Sequence, residues 1–580
     1  MSETQNQDPV ETSADGSPAP MRSHRGKLVM IALVCAALVV GVGVFAVVHS
    51  KTAASARRQQ ASAAAAGFLR TWADGNLSAL PALTVSRSAD VTQAYNNLDL
   101  SLGIGGPAAA HATSAAQAAA APIKVETGTP IGSGNVITVP ATVIIDVPGL
   151  GTWRDPITMH VQTTGSKALI AWSPQTIAPA LKTGDHILVT RTVPTRAAIL
   201  GTDGHPVPAG SDVSALVGTL GAASATQAKA DPTLPSGDII GQSGLQASSD
   251  ATLRGAASGA IAVVDPSGAT VATLVRWAGR APAPVSSTVN PTMQAAAAAA
   301  ISNTSHPSAL VAIDTTNGAV LAAASNPAGY PRALLGQYPP GSTFKMVTLT
   351  AALMAGRTLT SPTSCSPTAT VNGESFHNAS GESFGTIPLL QAFAVSCNTS
   401  FINLAMSLPT DTLASAAKLL GCDTGHAPLP VASFGCSYPV SATGTAYAAS
   451  AIGQGTALTS PLAIAAIAAA ADSGTWHQTH ITPGAAPSSR PLPAAVVAGL
   501  QTAMRAVITS GTGTSANLPG TPVYGKTGTA EIGSGSNPPT DAWFAAYRGN
   551  IAVAAVVEDA GFGATAALPL VTNFLTTVTH

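Results

Sequence analysis

Residues 338–345 read Tyr-Pro-Pro-Gly-Ser-Thr-Phe-Lys and lead into the apolar run MVTLTAALMAG at 346–356. Two prolines cannot sit inside a helix, so the chain reaches Gly341 extended. The pattern predicts a helix opening at Ser342, with Met346, Leu349 and Leu353 on its apolar face. Residues three apart on a helix share a face, which sets the Ser342 hydroxyl beside the Lys345 amine. A serine N-cap followed by a solvated lysine gives the same spacing. A cation in the first turn opposes the helix dipole, however, and this one has apolar neighbours. That points to a lysine whose burial lowers its proton affinity, and so to a base for a serine nucleophile. The reading needs partners elsewhere in the chain.

Two stretches supply them. LLQAFAVSCNTSFINLA at 389–405 holds Ser396-Cys397-Asn398, 54 residues beyond Ser342. In a turn or extended segment Ser396 and Asn398 project the same way; a hydroxyl can relay a proton and an amide can hold a peptide backbone. PVYGKTGTAEIG at 522–533 holds Lys526-Thr527-Gly528-Thr529, 130 residues beyond Ser396. It reads as a strand with Thr527 and Thr529 on one face. Gly528 clears room for a close approach, and Lys526 offers a fixed cation to an anionic substrate end. Each piece alone has a bland reading: a chance triplet, or a turn with a solvated lysine. Their joint order is far less common by accident.

At 580 residues the chain holds several domains. Charged residues are 9% and the net charge is −1, which disfavours nucleic acid or an acidic surface as a partner. Residues 28–48 are uncharged and apolar, long enough for a transmembrane helix after a tail at 1–27. Arg22, Arg25 and Lys27 on one side balance Lys51, Arg57 and Arg58 on the other, so the flanks do not orient the span. Ala54-Ser55-Ala56 resembles a signal-peptide cleavage site, but the apolar run exceeds a signal peptide's usual length, which favours an uncleaved anchor. Val34 before Cys35 argues against lipidation. Of the remaining cysteines, Cys365, Cys397, Cys422 and Cys436, the last two flank a Pro/Gly loop and pair if the compartment is oxidising; buried free thiols fit equally well. No metal-ligand spacing is present.

Along the chain, 65–84 reads as a helix with Phe68, Leu69 and Trp72 on one face and Gly75-Asn76 as its stop. Strand-like runs follow at 135–147 and 152–164, which suggests a small α+β domain. The stretch 111–122 is Ala-rich and reads as a linker or loose helix. From about 175 to 280 short β runs alternate with Gly and Pro. From Ser286 an Ala-rich helix leads to 308–326, where Asn317-Gly318 marks a hairpin turn. A strand at 551–559 and a last helix at 567–580 close a region that reads as an antiparallel sheet flanked by helices.

The set S-x-x-K, S-x-N, K-T-G resembles that of class B penicillin-binding proteins, of the kind whose N-terminal domain is similar to the cone of nuclear transport factor 2. SGLQASSDATLRGAASG at 243–259, STVNPTMQAAAAAA at 287–300, AIGQGTALTSPLAIA at 451–465, DAWFAAY at 541–547 and Glu531 after the K-T-G motif extend the likeness from about residue 64 to the end. One segment departs from the family: PTRAAILGTDGHP keeps Arg196, Ile199 and Gly204, but Ala197 replaces a glycine and Gly201-Thr202 an Asp-Arg pair. That leaves the turn and its ion pairs open. Cys397, the middle residue of S-x-N, is tolerated.

The resemblance implies an α+β multidomain chain: a membrane anchor at 28–48, a nuclear-transport-factor-2-like domain at 62–172, a dimerisation or pedestal domain at 173–280, and a penicillin-binding transpeptidase domain at 286–580. It implies a D,D-transpeptidase on peptidoglycan stem peptides ending in D-Ala-D-Ala, acylated by β-lactams, with no cofactor and no metal. Ser342 would be the nucleophile, Lys345 its base and Ser396 the proton relay. Asn398 would bind the donor amide, Lys526 would supply charge, and Thr527, Gly528 and Thr529 would bind substrate. The Ser342 and Thr529 N–H groups would form the oxyanion hole. The family further implies a single-pass protein of the bacterial cell membrane, catalytic domain outside. It works beside a membrane glycan polymerase of the shape, elongation, division and sporulation family. A β-lactamase would need a further base to deacylate, and a β-lactam sensor further spans. A D,D-carboxypeptidase differs only in using water as acceptor, and the intact motifs argue against a silent scaffold.

Overall fold

The computed structural model describes residues 26–104 and 123–579, apart from 208–212, 214, 232, 236, 410, 424, 426–428, 484–487, 534, 536 and 537. Between 26 and 48 it describes the backbone alone, except at Val40. The expected tail and the Ala-rich linker at 111–122 therefore lie outside the described residues. The expected span at 28–48 lies in the first half of one 48-residue helix, α1 (Gly26–Ala73), on side chains outside them. Among the described residues no helix is long and apolar enough to cross a membrane.

The chain divides into two compact units. In the first, Ala61, Ala65, Phe68, Leu69 and Trp72 form one buried stripe along the end of α1, as the spacing predicts. Helix α2 (Asp90–Leu102) adds Val91, Tyr95, Leu98 and Leu102 to the same core. Four antiparallel strands run in sequence order: β1 (Ile123–Thr127), β2 (Val136–Val147), β3 (Gly151–Thr164) and β4 (Lys167–Ile170). Burial alternates without a slip along β3, so one face packs inward and the other meets solvent.

The second unit begins with short strands and single-turn helices between 190 and 260. There Arg196 donates from Nη1 to Asp250 Oδ1 at 2.7 Å and from Nε to Gln246 Oε1 at 2.9 Å. Arg254 joins Asp250 at 3.3 Å and Asp231 at 3.2 Å. Arg196, which the altered 194–206 segment keeps, is thus ion-paired, with Asp250 as the hub.

The rest of this unit surrounds a five-stranded antiparallel sheet. Its strands are β5 (Ser308–Asp314), β6 (Val320–Asn326), β7 (Tyr524–Glu531), β8 (Thr540–Arg548) and β9 (Ile551–Val557), in the order β6-β5-β9-β8-β7. The N-terminal strands pair with the C-terminal ones, so the sheet cannot close until nearly the whole region has been made. All seven residues of β9 are buried, which fits an uninterrupted apolar run between two neighbours and two covered faces. β7 ends the order, and its outer edge is where the motifs meet.

Candidate active site

The segment at 338–345 differs in one respect from its expected form. Ser342 lies in a 3-10 turn, Gly341–Phe344, and the α-helix starts at Lys345 (α3, Lys345–Met354). Gly341 has φ +50°, and a Cβ there would lie 2.5 Å from the Thr529 carbonyl oxygen. The turn packs so closely on β7 that only glycine fits. Gly528 serves the same contact from the other side: a Cβ would meet Thr343 Cγ2 at 2.9 Å. The expected apolar face of α3 is also too narrow, because every residue from Lys345 to Ala352 is buried.

Ser396 bridges helix Leu389–Ala394 and helix α4 (Asn398–Met406) with φ +59°, a left-handed conformation uncommon for serine. Its N–H bonds the Phe393 carbonyl at 3.1 Å. The neighbouring Cys397 is within disulfide distance of Cys365, with Cα atoms 6.1 Å apart, and ties this turn to strand Pro362–Cys365. The Cys422–Cys436 pair is also joined, Cα to Cα 4.3 Å.

These turns bring the three motifs together. Lys345 and Lys526 have no exposed surface. Lys345 Nζ donates to the Ser396 carbonyl at 2.6 Å and to Asn398 Oδ1 at 2.7 Å, and lies 3.4 Å from Ser396 Oγ. Lys526 Nζ donates to Ser396 Oγ at 2.8 Å and to the Thr527 carbonyl at 2.9 Å. Each amine sits 5.5 Å from a phenylalanine ring centre, Phe401 and Phe393 respectively. Burial, aided by the Lys526 charge, holds Lys345 well below the usual lysine range. Burial alone pulls Lys526 down to about 7. Ser342 is half-buried, and its hydroxyl has no hydrogen-bond partner among the described residues. The side chains of the expected Ser342–Lys345 pair make no hydrogen bond to each other among the described residues, and Lys345 points its donors at the second motif.

The edge of β7 supplies donors of another kind. With its side-chain amide turned over, the orientation that satisfies both groups, Gln454 accepts from the Glu531 N–H at 2.9 Å and donates to its carbonyl at 3.3 Å. The backbone groups of Glu531 therefore face away from β8. Residues two apart in a strand present N–H and C=O to the same edge, so those of Thr529 face outward too. Gln454 closes the edge at Glu531 and leaves the Thr529 N–H beside the Ser342 turn. Thr527 Oγ1 pairs with Thr512 Oγ1 at 2.5 Å, and Thr529 Oγ1 accepts from the Gly563 N–H at 3.3 Å. Sequence reasoning passed over Gln454, Thr512, Phe393 and Phe401. Gln454 lies in a quoted family segment, and Phe393 and Phe401 each lie three residues from the second motif, where they read only as apolar neighbours; Thr512 carried no signal. Among the described residues no group of three or more His, Cys, Asp or Glu side chains converges as a metal site.

Two buried lysines thus converge on the Ser396 hydroxyl beside an open strand edge, and the three motifs are the set found in class A β-lactamases and penicillin-binding proteins. Residues 192–284 match the penicillin-binding protein dimerisation domain and residues 308–576 the penicillin-binding protein transpeptidase domain. The chain belongs to the class B penicillin-binding proteins. It is similar to the peptidoglycan D,D-transpeptidase PbpA of Mycolicibacterium smegmatis, 31% identical over 253 residues, which are 40% of this chain and 52% of that protein. The chain spans about half the length of the curated relatives it matches. In fold it resembles the penicillin-binding protein PBP2 of Helicobacter pylori, solved with MreC, at a TM-score of 0.60 and 17% identity over 68% of this chain and 98% of that one. It also resembles a chain from a peptidoglycan synthase complex that coordinates polymerisation and cross-linking (TM-score 0.59, 22% identity, 70% of this chain and 94% of that one).

Proposed function

We propose that this chain is a serine D,D-transpeptidase that cross-links peptidoglycan stem peptides ending in D-Ala-D-Ala, and that β-lactams acylate the same serine. One observation carries the reading: Lys345 and Lys526 meet at a single hydroxyl, Ser396 Oγ, at 3.4 and 2.8 Å, beside the unbonded Ser342. Ser342 Oγ attacks the penultimate D-Ala carbonyl while a neutral Lys345 takes its proton. The N–H groups of Ser342 and Thr529 stabilise the oxyanion. The C–N bond then breaks, the leaving nitrogen receives a proton through Ser396, and terminal D-Ala departs. An amine from a neighbouring stem attacks the ester, forms the new amide and frees Ser342. Asn398 holds the donor amide. Lys526 with Thr527 and Thr529 binds the terminal carboxylate, and Gly528 keeps the strand close to the Ser342 turn.

Labelling with a fluorescent penicillin tests this. We expect a stable adduct that disappears in Ser342→Ala. Rapid turnover of the adduct would indicate a β-lactamase instead, and a folded protein that takes no label would indicate a silent scaffold.

The wider assignment follows the same reading. Residues 28–48 are a single membrane anchor behind a 1–27 tail, with 52–580 outside the cytoplasmic membrane of a bacterium; two disulfides favour such an oxidising compartment. Residues 62–172 are a nuclear-transport-factor-2-like domain, 173–280 a dimerisation domain and 286–580 the transpeptidase domain. A separate membrane glycan polymerase of the shape, elongation, division and sporulation family supplies the strands. The structural relative from a synthase complex lends support to that partnership.

A further inference from the structure

The core of the first unit holds polar groups that its apolar pattern does not call for. Along β3 the inward positions are Trp153, Asp155, Ile157, Met159, Val161 and Thr163, and Asp155 alone among them is charged. It stands opposite Val143 of β2 and is 8% exposed. From α2 come Tyr95, 1% exposed, and Asp99. Asp99 is engaged, since its Oδ1 accepts from the Trp72 indole N–H at 2.9 Å. The Tyr95 hydroxyl is buried and has no hydrogen-bond partner among the described residues. Asp155 likewise makes no hydrogen bond or ion pair among them. A cavity of about 10 Å³ joins the two, walled by Trp72, Tyr95, Leu98, Trp153, Asp155 and Thr176. That is room for one water-sized group. Among the described residues no Lys, Arg or His lines it.

Charge and size decide the occupant. Burial lifts Asp155 to about 7 and Asp99 to about 6, so above neutral pH this core carries negative charge with no cation beside it. Burial and the two carboxylates push the Tyr95 phenol up, so it keeps its proton. Burying an unpaired carboxylate is costly, and a buried hydroxyl without a partner adds to it. A proton on Asp155 cancels the charge only below about 7. A water satisfies the hydroxyl and leaves the charge. A cation of water's size answers both: Asp155 neutralises it, and the phenol oxygen offers it a lone pair. The Trp72 and Trp153 indoles add aromatic walls, which favour a cation over an anion.

We propose that the first unit binds one monovalent cation of the ammonium or potassium class in this cavity, held by the Asp155 carboxylate and the Tyr95 hydroxyl between β3 and α2. The ion ties the helix to the sheet, so the stability of this unit depends on the cation present. None of the three motifs lies in the first unit, so the outcome is independent of the transpeptidase reading.

Calorimetry of the full-length chain at about pH 8 tests this, in ammonium, potassium or tetramethylammonium chloride at equal concentration. The transition of the first unit is the one that Phe68→Ala lowers; if the units unfold together, the single transition is read. A cation at about tenfold its Kd should raise that transition by about 4 °C over tetramethylammonium, which is too large for the cavity. The advantage should vanish at about pH 5, where Asp155 is protonated. Asp155→Asn and Tyr95→Phe should each lose it as well. Each variant is compared with itself across the salts, so a change in its overall stability does not enter, and if one variant fails to fold the other decides. Equal midpoints in all three salts would overturn the proposal and leave a water or a proton in the cavity. An advantage that survives both variants, or the lower pH, would overturn it too. A gain from either cation upholds it, and one confined to ammonium shows that N–H donation is read.

Discussion

Two lysines without exposed surface carry the proposed chemistry, and both pay for burial in lost proton affinity. Lys526 loses its charge as the pH rises through about 7. The acylation rate of a carboxylate-bearing penicillin should therefore fall as the pH climbs above that value. Lys526→Arg keeps its charge throughout and should flatten the fall; an identical profile in the variant would assign that limb to another group. The linkage to stability has the opposite sense. An unfolded lysine titrates near ~10.4, so between about 7 and 10 the unfolded chain holds a proton that the folded one has lost, and stability rises with pH across that window. In the proposed mechanism Ser396 relays the proton, and Ser396→Ala should slow acylation by about 10²–10⁴-fold while leaving the fold intact. A loss of less than twofold in single-turnover labelling would remove it from the mechanism. The motifs that hold these residues were legible as residue types and spacing. What spacing could not give was the Ser396 backbone at φ +59°, since that conformation is imposed by the helices on either side.

Among the elements, the 3-10 turn and the edge of β7 must stay in contact for the proposed oxyanion donors to stand together. Gly341→Ala puts a methyl 2.5 Å from the Thr529 oxygen in a left-handed backbone, so we expect a loss of about 1–3 kcal/mol in denaturant unfolding, together with lost acylation. Unchanged labelling in that variant would show that the contact is dispensable. The Cys365–Cys397 bridge holds the second motif to a neighbouring strand. Removing both cysteines should cost about 2–4 kcal/mol. A thiol titration of the denatured chain checks both bridges: reduction should expose four thiols beyond Cys35, and an unchanged count would refute them. Cys397 was read only as the tolerated middle residue of its motif. Its partner lies 32 residues away on another element, a pairing no local spacing encodes.

The two compact units have separate cores, one built on Phe68, Trp72, Tyr95, Ile137 and Val161, the other on the sheet and its helices. Calorimetry should resolve two transitions, and acylation by benzylpenicillin should raise only the one that contains Ser342. One transition that shifts as a whole would show the units to be coupled.

Sequence alone determined the three motifs, their order, the alternating strands of the first unit and the apolar strand at 551–557, because these are written in residue type and period over a few positions. It also marked Asn317-Gly318 as a hairpin turn, which joins β5 to β6. Only the tertiary structure decided how motifs 54 and 130 residues apart meet at one hydroxyl. It also decided that Arg196, kept in the altered 194–206 segment, pairs with Asp250. Those features depend on which elements pack together, and packing is a property of the whole buried surface rather than of any one stretch.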